Sequence, residues 1–217
     1  MKYKLVIFDF DGTIADTSLG IIDSHIYALN MMGKAIPSYD EVKKIIGGNL
    51  LDTYKNNFNF DEKTAKVAVK IYRERYAAVG IHKAFPYAGI ETFLKKLKEC
   101  GCKIGLATLK ADSFVRIMLK EINLINFFDY IYGVDFNDGQ SKSQLLCECI
   151  KASNLNKKDC VLIGDSNNDL IGAKEAEIDF IAVTYGFGFR TEDNLNDVVL
   201  KANSFDTILE YLKTDNE

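Results

Sequence analysis

Asp9 and Asp11 are two carboxylates placed two residues apart, directly after the apolar run Leu5–Phe8 and directly before Gly12. An apolar run bounded by a glycine turn predicts a buried strand. Residues two apart on an extended chain point to the same side, and open α/β sheets bind ligands at the carboxyl ends of their strands. At about 4 Å and an effective dielectric constant of about 20, two bare carboxylates repel by roughly 4 kcal/mol. The pair is therefore expected to need a bound cation, a shared proton, or both.

Polar residues also follow other apolar runs of the chain. Asp165 and Asp169 stand in a Gly-Asp-x-x-x-Asp segment after one such run, and Thr108 follows another. Lys142 opens the helical stretch that precedes the Asp165 strand. Taken singly, each has an ordinary structural interpretation: a helix cap, a strand end or a solvated lysine. Taken together, they predict several strand ends that carry charged or hydrogen-bonding side chains.

The chain around these residues alternates between predicted strands and helices, with one long helical insertion. From Ala88 onward, strands alternate with helical patterns, which favours a parallel sheet. Between residues 15 and 83 the patterns are helical, with Ser38 and Asp61 as candidate N-caps. We therefore predict an α/β core of residues 1–14 and 84–217 and an inserted helical domain of residues 15–83. Beyond the first strand, strands are expected near 103–108, 129–133, 160–164 and 180–184, and core helices near 88–99, 111–123, 141–153, 167–176 and 204–212.

Composition narrows the classes of partner. The 217 residues are 47% hydrophobic and carry a formal net charge of −4 without a cluster of basic residues. Nucleic acid and anionic membranes are therefore not expected as main partners. Four apolar residues before Asp9 are too few for a signal peptide or a membrane span, so a soluble, cytoplasmic protein is expected. The five cysteines are an odd number and lie in apolar stretches, which favours buried reduced thiols over a zinc site or disulfides.

The order of these motifs resembles the four motifs of the haloacid dehalogenase-like hydrolase superfamily, from Met1 to about Gly188. Within that superfamily, the segments Tyr87–Ile90, Leu106–Thr108 and Val183–Gly188 are similar to the phosphoglycolate phosphatase-like branch. The resemblance implies a Rossmann-like parallel sheet with a small all-helical cap domain over the carboxyl ends of the strands.

The resemblance also implies roles for the acidic residues. Asp9 would be the nucleophile that forms an aspartyl-phosphate, and Asp11 the general acid and then the general base. Mg²⁺ would bind the Asp9 carboxylate, the backbone carbonyl of Asp11 and Asp165, since hard oxygen ligands suit this ion. Asp169 would complete the site directly, through water, or by orienting Lys142.

Thr108 and Lys142 are expected to bind the transferring phosphoryl group, through a hydroxyl and a positive charge. Lys110, two residues after Thr108, is a rival for the lysine role. The family's lysine is often followed by proline, whereas Ser143 follows Lys142. The choice between the two lysines stays open at this point.

Together with the resemblance, these residue types favour a Mg²⁺-dependent phosphatase for a small phosphorylated metabolite. The resemblance implies phosphoglycolate, and a nucleoside monophosphate, pyrophosphate or a sugar phosphate stays open. A β-phosphoglucomutase-like phosphomutase shares the same acids and is an alternative. A non-enzymatic phospho-acceptor module resembling response-regulator receivers is another. The polar, flexible segment that holds Lys43, Gly47, Gly48 and Asn49 is the candidate for substrate contacts from the helical domain. An exposed helix end followed by a glycine turn is the alternative interpretation of this segment.

Overall fold

The computed structural model describes residues 1–43, 45–47, 49–135 and 139–214. The chain divides into two compact units, one of Met1–Asp16 with Pro86–Glu217 and the other of Thr17–Phe85. The boundaries lie two residues from those expected from the sequence. In chain order the elements are β1 (Leu5–Phe8), β2 (Ala15–Asp16), α1 (Ser18–Met31), α2 (Tyr39–Lys43), α3 (Leu50–Asn56), α4 (Glu62–Ala78), β3 (Phe85–Pro86), α5 (Ile90–Glu99), β4 (Lys103–Ala111), α6 (Asp112–Glu121), β5 (Tyr130–Val134), α7 (Lys142–Ser153), β6 (Cys160–Gly164), α8 (Asn167–Ala176), β7 (Asp179–Val183), β8 (Leu200–Ala202) and α9 (Phe205–Lys213).

The larger unit is built on a parallel sheet with strand order β5-β4-β1-β6-β7-β8. The central strands β1 and β6 are buried along their whole length, as strands covered by helices on both faces must be. Leu5, Ile7, Leu162 and Phe180 belong to the core formed where helices pack on the sheet. This architecture confirms the α/β prediction.

Two features of the larger unit differ from the sequence-based picture. The sixth strand, β8, was not predicted, because three residues with Lys201 at their centre carry no apolar run. The thiols were expected to be buried, yet Cys100 and Cys147 are exposed, while the other three are buried. Cys147 belongs to an amphipathic helix, and Cys149, two residues on, faces the core instead. All five thiols are free.

The smaller unit is helical. Asp61 accepts a hydrogen bond from the backbone N–H of Thr64 and so caps α4, and Ser38 and Glu41 exchange hydrogen bonds at the start of α2. His25 is buried in this unit, with Nδ1 at 3.1 Å from the Tyr54 hydroxyl. Among the residues described, no helix is long and apolar enough to cross a membrane.

Candidate active site

The register of the three central strands brings the ends of β1, β4 and β6 to one edge of the sheet. Phe8 lies beside Leu106 of β4 and Ile163 of β6. Asp9 directly follows β1, and its backbone N–H donates to the Ile163 carbonyl at 2.9 Å. Because parallel strands all end at the same side, Thr108 and Asp165 are carried to this edge as well.

Lys142 lies between two acidic side chains of this site, Asp9 and Asp169. Its Nζ is 2.6 Å from Asp9 Oδ1 and 2.6 Å from Asp169 Oδ1, and only 4% of its side chain is exposed. Burial acts to lower the pKa of Lys142, but Asp169 and Asp9 outweigh it and raise that pKa above its ordinary value. The ammonium is therefore held as a fixed positive charge between two acids.

Lys142 is the first residue of α7, and local structure as well as charge determines its position. Ser141 and Gln144 form a capping box at the start of the helix, which sets the direction in which Lys142 leaves it. Gly172 of α8 leaves room for the lysine stem, because a Cβ there would lie 2.5 Å from Lys142 Cγ. The sequence identified Lys142 as a candidate. Its packing against Gly172 of α8 is visible only in the structure.

Three buried carboxylates converge beside this lysine. Asp9, Asp165 and Asp169 each offer an oxygen atom, and these atoms lie within 4.8 Å of one another. At that separation and an effective dielectric constant of about 20, each pair repels by about 3.5 kcal/mol. Burial raises the pKa of Asp9 and of Asp165, and the neighbouring carboxylates raise both further. One lysine cannot balance three acids, so the chemistry of this donor set fits a hard divalent cation.

The loop after β7 holds Asp165. The backbone N–H groups of Phe187 and Gly188 donate to Asp165 Oδ2 at 2.6 and 3.2 Å. Gly186 and Gly12 both border this carboxylate, and a Cβ on either would lie within 2.4 Å of Asp165 Oδ2. The sequence did not identify these amide donors, although the Gly-x-Gly pattern at 186–188 signals a close backbone approach.

Asp169 has two partners through its two oxygens. Oδ1 contacts Lys142, while Oδ2 accepts from the Ser166 hydroxyl at 2.6 Å and from the Ser166 backbone N–H at 3.1 Å. Ser166 and Asp169 thus form a capping box at the start of α8. Among the roles considered for Asp169, the geometry favours the orientation of Lys142.

Thr108 and Lys110 lie at the end of β4. Thr108 is buried, and its Oγ1 accepts from the Lys110 backbone N–H at 3.3 Å. Lys110 Nζ is 3.1 Å from Asp11 Oδ2. The two rival lysines therefore contact different acids: Lys142 contacts Asp9 and Asp169, and Lys110 contacts Asp11.

One of the candidate substrate contacts of the smaller unit has a local structural role. Asn49 caps α3, accepting from the backbone N–H groups of Leu51 and Asp52 at 2.9 and 3.2 Å. Lys43 ends α2 and is exposed, and Gly47 has a φ of 94°. Gly48 lies outside the described residues. The contact of this segment with substrate stays a prediction.

Comparison with known proteins shows the family of this chain. Residues 6–183 match the family model of the haloacid dehalogenase-like hydrolases. The chain is 32% identical to a 5′-nucleotidase of Pseudomonas aeruginosa over 196 residues, which cover 90% of this chain and 88% of the relative. It is 26% identical to a phosphoglycolate phosphatase of Psychrobacter arcticus, covering 98% and 96% of the two chains.

A solved structure, described as a predicted phosphatase from Clostridium acetobutylicum, superposes with a TM-score of 0.90. It is 32% identical, and the match covers 98% of this chain and 99% of the other. The ordered acids at the strand ends, the parallel sheet and these matches agree, and the chain belongs to the haloacid dehalogenase-like hydrolase family.

Proposed function

We propose that this chain is a Mg²⁺-dependent phosphatase that hydrolyses a small phosphate monoester through an aspartyl-phosphate on Asp9. The observation that carries the proposal is the buried group of Asp9, Asp165 and Asp169 beside Lys142 at one sheet edge. The names of the relatives, a 5′-nucleotidase and a phosphoglycolate phosphatase, support the same class of reaction. The family assignment argues against a receiver-like phospho-acceptor module.

The first chemical step uses Asp9 and Asp11. A carboxylate oxygen of Asp9 attacks phosphorus, and the bond from phosphorus to the leaving oxygen breaks. Asp11, in its protonated form, gives its proton to that leaving oxygen, so that the product leaves as an alcohol. Asp11 ends the step as a carboxylate, and the phosphoryl group is bound to Asp9.

The second step returns the site to its starting state. A water molecule attacks phosphorus and gives a proton to the Asp11 carboxylate. The bond from phosphorus to Asp9 breaks, and inorganic phosphate leaves. Asp9 is again a carboxylate and Asp11 is again protonated, so the cycle is balanced.

Positive charge and hydrogen-bond donors must accompany the anionic substrate. Asp9, Asp165 and the backbone carbonyl of Asp11 would hold Mg²⁺, which supplies charge that lets an anionic nucleophile and a phosphate come together. Lys142 contributes a fixed positive charge, and Thr108 a hydroxyl, for the phosphoryl oxygens. We assign Asp169 to the orientation of Lys142.

The substrate class is a small phosphorylated metabolite. Phosphoglycolate and nucleoside monophosphates are the first candidates, given the relatives' names. A β-phosphoglucomutase-like reaction uses the same acids and differs in what attacks the phosphoenzyme, a sugar hydroxyl in place of water. We assign residues 17–85 the role of a cap that selects substrate, with Lys43, Gly47, Gly48 and Asn49 as candidate contacts.

The test is phosphate release from p-nitrophenyl phosphate by the wild type and by Asp9→Asn, each with Mg²⁺ and with EDTA. Turnover is expected only for the wild type with Mg²⁺. Asp197→Asn is the matched control, since that exposed acid pairs with Lys174 at the surface. Turnover by folded Asp9→Asn equal to that of Asp197→Asn would refute the nucleophile assignment.

A further inference from the structure

A second lysine is withdrawn from solvent beside the acid–base residue. Only 6% of the Lys110 side chain is exposed, and its Nζ is 3.1 Å from Asp11 Oδ2. The Asp11 side chain is 22% exposed. Lysine is almost never buried without a charge partner, and the partner of Lys110 at this distance is the residue proposed as the general acid and base.

An irregularity of β4 directs Lys110 to this place. Thr108 pairs with Gly133 of β5 and Ala111 pairs with the next residue, Val134, so two extra residues lie on β4 between them. Bulges of this kind bend a strand and re-aim a side chain. Lys110 is one of the two extra residues.

Two contacts maintain the irregularity. The Lys110 backbone N–H donates to Thr108 Oγ1 at 3.3 Å. Gly133 permits the close approach, since a Cβ there would lie 2.6 Å from the Lys110 carbonyl oxygen and 2.6 Å from Asp112 Cα. The side chain of Lys110 is therefore set by the local course of the backbone as well as by its partner.

We propose that Lys110 is a positioning residue for Asp11, an inference that rests on the proposed phosphatase function. The ammonium group holds one carboxylate oxygen of Asp11 and so fixes the direction from which Asp11 meets the leaving oxygen. Lys110 keeps its own proton in both steps, and only Asp11 exchanges one. The two lysines form ion pairs with different acids: Lys142 with Asp9 and Asp169, and Lys110 with Asp11.

A positioning role predicts a dependence on the leaving group. The p-nitrophenolate ion leaves without needing a proton, whereas an alkoxide needs one as the bond breaks. General acid catalysis contributes typically 10²–10⁴-fold, and a small misplacement forfeits part of that gain. Loss of Lys110 should therefore slow the hydrolysis of alkyl phosphates far more than that of p-nitrophenyl phosphate.

The experiment compares kcat/KM of the wild type, Lys110→Met and Lys110→Arg on p-nitrophenyl phosphate and on ethyl phosphate. Lys110→Met is expected to lose roughly tenfold or more on ethyl phosphate and less than about threefold on the aryl ester. Lys110→Arg, which keeps the charge, should recover part of the ethyl phosphate activity. Lys174→Met, at an exposed ion pair, is the control and should match the wild type on both esters.

A double-mutant cycle separates positioning from a general structural effect. On phenyl phosphate, Lys110→Met is expected to change kcat/KM of the Asp11→Asn enzyme by less than about twofold, because residues that act as a unit are not additive. Two results would overturn the role of Lys110. One is an equal loss of kcat/KM for Lys110→Met on p-nitrophenyl phosphate and on ethyl phosphate. The other is a loss of kcat/KM on phenyl phosphate in the Asp11→Asn background as large as in the wild type. Absence of wild-type turnover on every ester would overturn the proposed function and this inference with it.

Discussion

Replacing Lys142 by methionine tests how much the buried charge cluster depends on its one central cation. Methionine keeps most of the stem that packs over Gly172 and removes the ammonium that lies 2.6 Å from both Asp9 and Asp169. Breaking a buried pair by removing one partner costs about 3–5 kcal/mol, since the other charge stays buried without compensation. Here two acids lose their partner together, while Asp165 still repels them.

The control is Lys174→Met, which removes an ion pair of nearly the same length. Lys174 Nζ lies 2.7 Å from Asp197 Oδ2, but the two side chains are 52% and 60% exposed. Exposed pairs contribute about 0–1 kcal/mol. Lys142→Met and Lys174→Met therefore both remove a lysine–aspartate ion pair, and they differ in whether that ion pair is buried or exposed.

The assay is urea and thermal unfolding followed by far-UV circular dichroism, with EDTA present so that no divalent cation replaces the lost charge. Lys142→Met should lower the melting temperature of the larger unit by about 6–20 °C, at about 2–4 °C per kcal/mol. Lys174→Met should lower it by about 4 °C or less. If Lys142→Met lowered the melting temperature no more than Lys174→Met does, Lys142 would not be compensating buried acids.

Two further predictions concern metal and pH. Mg²⁺ at a hundredfold excess over its Kd should raise the free energy of unfolding of the wild type by about 2.7 kcal/mol. Asp165→Asn should gain far less, because it neutralises one of the two carboxylates assigned to Mg²⁺, Asp9 and Asp165. Calorimetric titration and thermal unfolding measure the gain of each protein, and equal gains would contradict the ligand assignment. Burial lowers the pKa of His25 from 6.5 to about 4, so between these values the unfolded chain binds a proton that the folded chain does not. The free energy of unfolding of the smaller unit should therefore fall by about 2 kcal/mol from pH 7.5 to pH 5, with no contribution from His25 above its ordinary pKa. Urea unfolding of the wild type and His25→Gln across this range checks it, and an unchanged pH slope in the variant would count against the explanation.

The candidate site could be predicted in part because its acids follow local signals. Asp9 directly follows one short apolar run and Asp165 follows another after Gly164, and parallel strands carry such residues to one edge without further information. The family assignment confirms the resemblance that these motifs suggested. The catalytic roles of Asp9 and Asp11 and the substrate contacts of the helical unit stay predictions.

Contacts between residues far apart in the chain could not be predicted in this way. Lys142 and Asp9 are 133 residues apart, and nothing in the segment around Lys142 distinguishes a buried lysine from a solvated one. The amide donors of the 186–188 loop meet Asp165 only because β7 lies beside β6. Such contacts depend on how the helices and loops pack on the sheet.

Local signals in the sequence predict the α/β class, the alternation of core strands and helices as far as β7, and the strand ends that carry acids, because apolar runs, turns and caps act over a few residues. Which lysine contacts which acid follows from the tertiary structure alone. Lys110 reaches Asp11 through two extra residues of β4 opposite a glycine of β5, and Lys142 reaches Asp9 and Asp169 through the packing of α7 on α8. Both arrangements follow from close packing between distant segments, where burial and charge must be satisfied together.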